Sequence, residues 1–306
     1  MPDPAARRRP LKVGVILPDT EREMGGADPK WRDIAALARQ AEGLGFDSLW
    51  VFDHLLYRFP DKPTQGPWEC WSLLAALAAV TERAEIGPVV SCAGYRNPAL
   101  LAKMGATMHA LTNGKFVLSL GAGWHKPEYD AYNFDFATPG ARVAQLAETI
   151  ELVRAMWTQA PATYIGKHYK VENAYCAPRP NPLPRILVGT AGPKALAVTA
   201  RLADAWNYDH GPRYLPALET LRAECAKLGR DFGALWLTLT GSVRFPQDLS
   251  GYQPPDHPQF GPTPADAIEQ LKPYIALGVR TFPLVFADLY TLQKFDAEVA
   301  PALAEL

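Results

Sequence analysis

The chain of 306 residues is 48% hydrophobic and 21% charged, the balance of a soluble globular protein that can bury a sizeable core in one or two domains. Its 31 Lys and Arg stand against 32 Asp and Glu, with no long single-sign block beyond Arg7-Arg8-Arg9, which argues against nucleic acid or an anionic membrane as a partner and assigns residues 1–10 to a disordered or extended tail. No apolar run reaches the ~18 to 20 residues of a membrane span, the four cysteines lack Cys-x-x-Cys spacing, and the six histidines lack metal spacing, so reduced thiols, a cytoplasmic location and no metal are expected.

Strand and helix patterns alternate from Lys12 onward. Lys12 to Leu17 reads as a first strand. Pro29 to Leu44 carries Trp31, Ile34, Leu37, Ala38, Ala41 and Leu44 at helical spacing and meets Gly45, a natural stop. Ser48 to Phe52 is the second strand, Glu69 to Thr81 a helix, and Ala84 to Cys92 the third strand. Asn97 and Pro98 open a helix to Leu111 as cap and first-turn residue. Phe116 to Leu120 is the fourth strand, and Ala141 to Trp157 a long amphipathic helix.

The remaining strands are Arg185 to Val188, Ala205 to Tyr208, Leu235 to Val243 and Thr281 to Phe286. The helices between and after them are Pro193 to Leu202, Leu215 to Leu228, Pro264 to Leu277 and Thr291 to Leu303. This alternation predicts one (β/α)8 TIM barrel over residues 11–306, a fold of ~250 residues plus insertion loops. An open doubly wound sheet is the alternative, and it needs fewer units. Pro161 to Pro184 and Phe245 to Pro264, both rich in proline, fall outside the alternation and are expected to be irregular lids or binding walls.

In such a barrel the chemistry gathers at the carboxyl ends of the strands. The second strand ends in Asp53-His54, the third in Ser91-Cys92, the fourth in Gly121-Ala122-Gly123-Trp124-His125 and the fifth in Gly189-Thr190-Ala191-Gly192. His54 is the candidate acid or base, preceded by an acid able to orient it; a His that merely caps a strand is the structural alternative. The Gly189 to Gly192 turn leads into a helix and suits a phosphate, though a tight strand-to-helix turn also wants glycine. At Gly121-Ala122-Gly123 a dinucleotide fingerprint fails, because its sixth position is Lys126 and Pro127 follows. Glycines there would let a flat ring approach the backbone, with Trp124 and His125 as walls; a tight turn with a packed Trp is the alternative.

These residues in this order resemble the luciferase-like oxidoreductase superfamily, (β/α)8 enzymes that use flavin mononucleotide (FMN) or the deazaflavin coenzyme F420. The resemblance runs from about Leu11 to about Tyr208, through VGVILP, AEGLGFDSLWVFDHLL, YRNPALLAKMGATMHALTNGKFVLSLGAGWHKPEYDAYNFDF and PRILVGTAGPKALAVTARLADAWN. It implies a coenzyme ring across the barrel mouth, faced by Asp53 and His54, supported by Val89, Val90, Ser91 and Cys92, and bordered by Gly121, Ala122, Gly123 and Trp124. Gly189, Thr190, Ala191 and Gly192 would take the phosphate, and Trp124 and His125 would flank the ring or the substrate. In the sugar-phosphate dehydrogenase subgroup a carboxylate follows the glycine turn; here Trp124 stands there and the nearest acid is Glu128, so the likeness is to the broader set of F420-dependent oxidoreductases. Pro88 inside an otherwise continuous strand, together with the resemblance, predicts a bulge or a non-prolyl cis peptide between Val89 and Val90.

The expected function is hydride transfer between F420 and an organic small molecule, with His54 exchanging a proton. The alternatives are a two-component FMN- and oxygen-dependent monooxygenase served by a separate reductase, and a non-catalytic coenzyme-binding barrel. A homodimer is usual for the family.

Overall fold

The computed structural model describes residues 11–20, 29–250, 252–253 and 257–305. The expected tail over residues 1–10 and part of the Tyr252 to His257 run lie outside the described residues. β1 (Lys12–Ile16), α1 (Trp31–Leu44), β2 (Ser48–Val51), α2 (Cys70–Ala78), β3 (Glu85–Pro88), β4 (Ser91–Cys92), α3 (Pro98–Leu111) and β5 (Val117–Gly121) follow the predicted order. α4 (Lys126–Ala131), α5 (Pro139–Thr158), β6 (Ala162–Ile165) and β7 (Lys170–Ala174) come next. β8 (Arg185–Gly189), α6 (Pro193–Leu202), β9 (Ala205–Asp209), α7 (Tyr214–Lys227), β10 (Trp236–Val243), α8 (Pro264–Ala276), β11 (Val279–Phe286), α9 (Leu289–Lys294) and α10 (Ala300–Ala304) complete the chain.

Nine parallel segments pair in the order β3-β2-β1-β11-β10-β9-β8-β5-β4. β3 and β4 are two pieces of one stave: Ile86 bridges Phe116 at the foot of β5, while Ser91 and Cys92 pair with Leu120 and Gly121 at its top. The ring is therefore the predicted barrel of eight staves. The third stave breaks after Pro88, whose ring supplies no ladder donor, and the Val89–Val90 peptide is cis, at the predicted step.

Two apolar layers hold the barrel. Inside it, Ile16, Trp50, Val89, Val117, Leu187 and Ala205 form a packed floor, so the barrel is a core and not a pore. Trp50 fits because Gly14 and Gly87 face it: a Cβ on Gly14 would stand 2.5 Å from the indole nitrogen, and one on Gly87 3.0 Å from its ring. Its N–H donates to Ser48 Oγ at 2.8 Å, which satisfies the one polar atom of the buried ring. Outside, Leu146, Ile150, Val153 and Trp157 of α5 pack on the staves, and Trp157 donates to the Ala102 carbonyl of α3 at 2.9 Å. Truncating such a buried Trp costs about 3 to 5 kcal/mol.

Local signals set the helix ends. Asn97 accepts from the amides of Ala99 and Leu100 ahead of Pro98, Thr263 and Asp266 form a reciprocal capping box on α8, and Gly45 stops α1 at φ 93°.

Two expectations are corrected. Pro161 to Pro184 is not wholly irregular: β6 and β7 form an antiparallel hairpin. Its turn is held from a distance by Glu148 of α5, which accepts from the amides of Lys167, His168 and Tyr169 at 2.9, 2.8 and 3.0 Å. The closing helix is also not continuous, because a π-helical turn at Phe295–Val299 separates α9 from α10.

Candidate active site

The upper ends of the staves surround a cavity of ≈ 910 Å³, a size typical of small-molecule sites. Of the predicted site residues, Asp53, His54, Val89, Val90, Cys92, Gly121, Ala122, Gly123, Trp124, His125, Gly189 and Thr190 line it, whereas Ser91, Ala191 and Gly192 do not.

His54 stands on the loop after β2, and its Nδ1 lies 3.0 Å from Oε2 of Glu128 in the first turn of α4. Glu128 is 1% exposed and fully bonded. It accepts from the amides of Leu55 at 2.6 Å and Leu56 at 3.0 Å, and from the Tyr95 hydroxyl at 2.7 Å. Burial pushes its carboxyl upward, but the bonds from His54, Tyr95 and the backbone outweigh that and hold it below the ordinary carboxylate value. Burial and the bond to Glu128 push the Tyr95 phenol upward, so it remains a donor. An ionised Glu128 favours a proton on Nδ1, and Nε2 makes no hydrogen bond to the described residues.

Asp53 does not orient His54. Its carboxylate is taken by Arg96, with Nη1 at 2.6 Å and Nη2 at 3.0 Å, by the Ser91 hydroxyl at 2.7 Å and by the Cys92 amide at 3.0 Å. Arg96 also reaches Glu69 at 2.7 Å. The acid beside His54 in sequence thus fastens the end of β2 to β4, and Ser91, which also accepts from Trp71 Nε1 at 3.1 Å, belongs to that brace.

The glycines have separate reasons. A Cβ on Gly121 would lie 2.8 Å from a Val90 methyl and one on Gly189 would lie 2.7 Å from the other, so both residues make room for the side chain that forms the cavity floor. Gly123 has φ +76°, and a Cβ there would run into the Tyr129 hydroxyl and the Cys92 sulfur. Gly192, in contrast, has nothing within 4 Å of the Cβ position. Burial pushes the Cys92 thiol up to about 11, despite its contact with the Tyr129 hydroxyl at 2.9 Å.

At the rim, His125 is buried and its Nε2 accepts from the Arg58 amide at 3.3 Å. Burial lowers its pKa, with His54 adding to the effect against the pull of Glu128, so it is a neutral wall. The far side of the cavity lies outside the predicted set: Asn207, Asp209, His210 and Arg213 come from β9 and the loop after it, and Thr240 and Ser242 from β10. Asn207 donates to Thr240 Oγ1 at 3.0 Å and accepts from Thr238 Oγ1 at 2.7 Å. The polar run Asp209-His210 directly after an apolar strand was the available signal. His257 and Pro258 of the proline-rich segment also line the cavity, as expected of a binding wall.

The chain is similar to several known proteins. Over 177 residues the chain is 32% identical to an F420-dependent glucose-6-phosphate dehydrogenase of Amycolatopsis mediterranei, covering 57% of this chain and 52% of that protein. Over 206 residues it is 29% identical to the pyrimidine monooxygenase RutA of Stutzerimonas stutzeri, covering 64% and 56%. The chain thus matches about half the length of these curated relatives. Among solved structures, an F420-dependent secondary alcohol dehydrogenase in complex with an F420-acetone adduct superposes with a TM-score of 0.81 at 17% identity, covering 96% of this chain and 99% of that one. EDTA monooxygenase from Chelativorans sp. BNC1 gives 0.76 at 16% identity, covering 97% and 94%. At these identities the structural likeness shows the fold. The family described as luciferase-like monooxygenase matches residues 11–248, from β1 past the end of β10, and the chain belongs to that family.

Proposed function

We propose that the chain is an F420-dependent oxidoreductase that moves a hydride between the coenzyme and an organic small molecule. The observation that carries this is the His54–Glu128 pair lining the cavity, where a buried, ionised acid holds Nδ1 and Nε2 has no hydrogen-bond partner among the described residues. When bound, the deazaflavin supplies the hydride donor or acceptor. The residues present fit such a group. Val90 and Gly121 to Gly123 offer a floor and a border for a flat ring, and Gly189 to Gly192 offer a turn for a phosphate. The open space at Gly192 and the lack of a side-chain cap on α6 leave first-turn amides available to an anion.

The protein's own part is acid–base work and exclusion of water. Nε2 of His54 gives a proton to the substrate oxygen or takes one from it, and Glu128 balances the imidazolium charge. Phe52, Val90 and Val285 give the cavity apolar walls. This reading carries a cytoplasmic homodimer.

The second reading, a two-component monooxygenase using FMN and a separate reductase, is supported by the likeness to RutA. Parallel titration of the chain with F420 and FMN, followed by reduction of whichever binds, tests the choice. F420 is expected to bind more tightly by about tenfold or more, roughly 1.4 kcal/mol. Comparable or tighter FMN binding moves the assignment to the monooxygenase.

A further inference from the structure

The rings around His54 form a continuous aromatic edge that proton exchange does not require. Tyr57 packs on the His54 ring with centroids 4.6 Å apart. Phe59 stacks on Tyr57 at 6.4 Å and 14°, and Trp124 on Phe59 at 6.3 Å and 24°. Trp124 returns to His54 edge-on at 5.9 Å, and it lines the cavity.

Backbone bonds hold this edge, because burial does not. Tyr57 and Gln65 exchange both backbone hydrogen bonds, at 2.9 and 3.0 Å, which closes the loop carrying Tyr57 and Phe59, and His125 accepts the Arg58 amide between them. Yet Phe59 is 38% exposed and Trp124 62% exposed. Large rings this exposed contribute little to folding, and Trp124, which lines the cavity with Phe59 stacked on it, presents a π face to whatever enters. The charged neighbours on α4, Lys126 and Asp130, are paired with each other at 2.6 Å, and Arg58, exposed between Tyr57 and Phe59, donates to Thr64 Oγ1 at 3.4 Å. Asp209, Arg213 and Ser242 line the cavity on the β9 and β10 side, whereas the lining acids Asp53 and Glu128 are engaged by Arg96 and by His54 and Tyr95.

On the hydride-transfer reading above, we infer that the substrate carries an aromatic ring, which stacks on Trp124 and sets an adjoining carbonyl or carbinol carbon beside Nε2 of His54. In the reducing direction the carbonyl carbon takes the hydride, its π pair moves to oxygen, and that oxygen takes the proton from Nε2–H of the imidazolium. In the oxidising direction the carbinol carbon loses the hydride to the oxidised coenzyme and the hydroxyl proton goes to neutral Nε2. The ring supplies position, which keeps the reacting carbon within reach of the fixed imidazole.

Two ketones of similar bulk test this: acetophenone and cyclohexyl methyl ketone. Their dissociation constants are measured by ligand-observed NMR on the wild-type chain and on a Trp124→Leu/Phe59→Leu variant, each with its F420 and FMN affinities titrated in the same samples. Acetophenone is expected to bind about two- to tenfold more tightly to the wild type, the range of aromatic pairing beyond area, and the preference is expected to vanish in the variant. Equal or reversed affinities in the wild type, or a preference that survives in the variant, overturn the inference. Wild-type chain that binds neither coenzyme overturns the hydride-transfer reading and this inference with it, whereas retained coenzyme binding with equal ketone affinities sinks the aromatic ring alone.

Discussion

Nδ1 of His54 lies 3.0 Å from Oε2 of Glu128 across 74 positions of sequence, joining the loop after β2 to the first turn of α4. The pair makes different predictions for its two members. On the proposed acid–base role, His54→Ala should lower turnover by roughly 10² to 10⁴ with little change in coenzyme affinity. Glu128→Gln keeps the imidazole but removes its counter-charge, so a smaller loss, about tenfold or more, is expected. Steady-state kinetics on a substrate found by screening checks both; near wild-type turnover for His54→Ala would return the residue to a strand cap.

Glu128 also makes stability depend on pH. Its folded carboxyl titrates below the ordinary 4.5, so it contributes stability that is fully present above that value and is lost as pH falls through the lower folded one. Glu128→Gln should be less stable than wild type at neutral pH by about 3 kcal/mol, the cost of removing a buried charged acceptor from its donors. Urea unfolding of both proteins between about pH 3 and pH 7 should show the gap closing on the acid side. Parallel profiles would mean that Glu128 is not held as a carboxylate in the fold.

Much of this site is legible in the sequence because its parts sit where one local pattern stops and another starts. His54 follows an apolar strand, the Gly121 and Gly189 turns follow two more, and Pro88 marks the break at Val89–Val90. The rest depends on contacts that have no spacing signature. Glu128 reaches back across 74 positions, Tyr95 meets it across 33, and Arg96 claims Asp53 across 43. Sequence adjacency pointed to Asp53 as the partner of His54, but a bidentate guanidinium outcompetes an imidazole for a buried carboxylate. The β6–β7 hairpin was hidden for the same reason, since Glu148 holds its turn from α5.

Gly121 and Gly189 should be intolerant of alanine for a reason that can be undone. Each new methyl would lie within 2.8 Å of a Val90 methyl. Gly121→Ala and Gly189→Ala are each expected to cost about 1 to 3 kcal/mol, the range of overpacking. Val90→Ala in the same chain should restore part of that loss, giving a coupling energy of about 0.5 kcal/mol or more in a double-mutant cycle from urea midpoints. Additive losses would show that something other than Val90 demands the glycines.

The cysteines should be inert in the folded chain. All four are buried and free. Burial raises each thiol, Cys92 to about 11, so the thiolate that reacts is scarce at neutral pH. Iodoacetamide near neutral pH should leave the native protein unlabelled by intact mass, and label all four cysteines after unfolding in urea. Rapid native labelling of Cys92 would show that the cavity opens far enough to expose the stave end.

Gly192 separates what the fold needs from what a coenzyme would need. Its φ of −72° and ψ of 134° suit any residue, and nothing lies within 4 Å of its Cβ position. It caps α6 without a side chain. Gly192→Ala should therefore change stability by no more than about 0.5 kcal/mol. Gly192→Asp should hold or raise stability, because a carboxylate at a helix N-cap accepts first-turn amides and complements the helix dipole. The same carboxylate would occupy those amides and repel a phosphate, so coenzyme affinity should fall by about tenfold or more. Gly192→Ser, which caps without charge, should lie between the two. Thermal melts and coenzyme titrations on the three variants check the opposite signs for Asp; an unchanged dissociation constant in Gly192→Asp would place the phosphate elsewhere on the barrel rim.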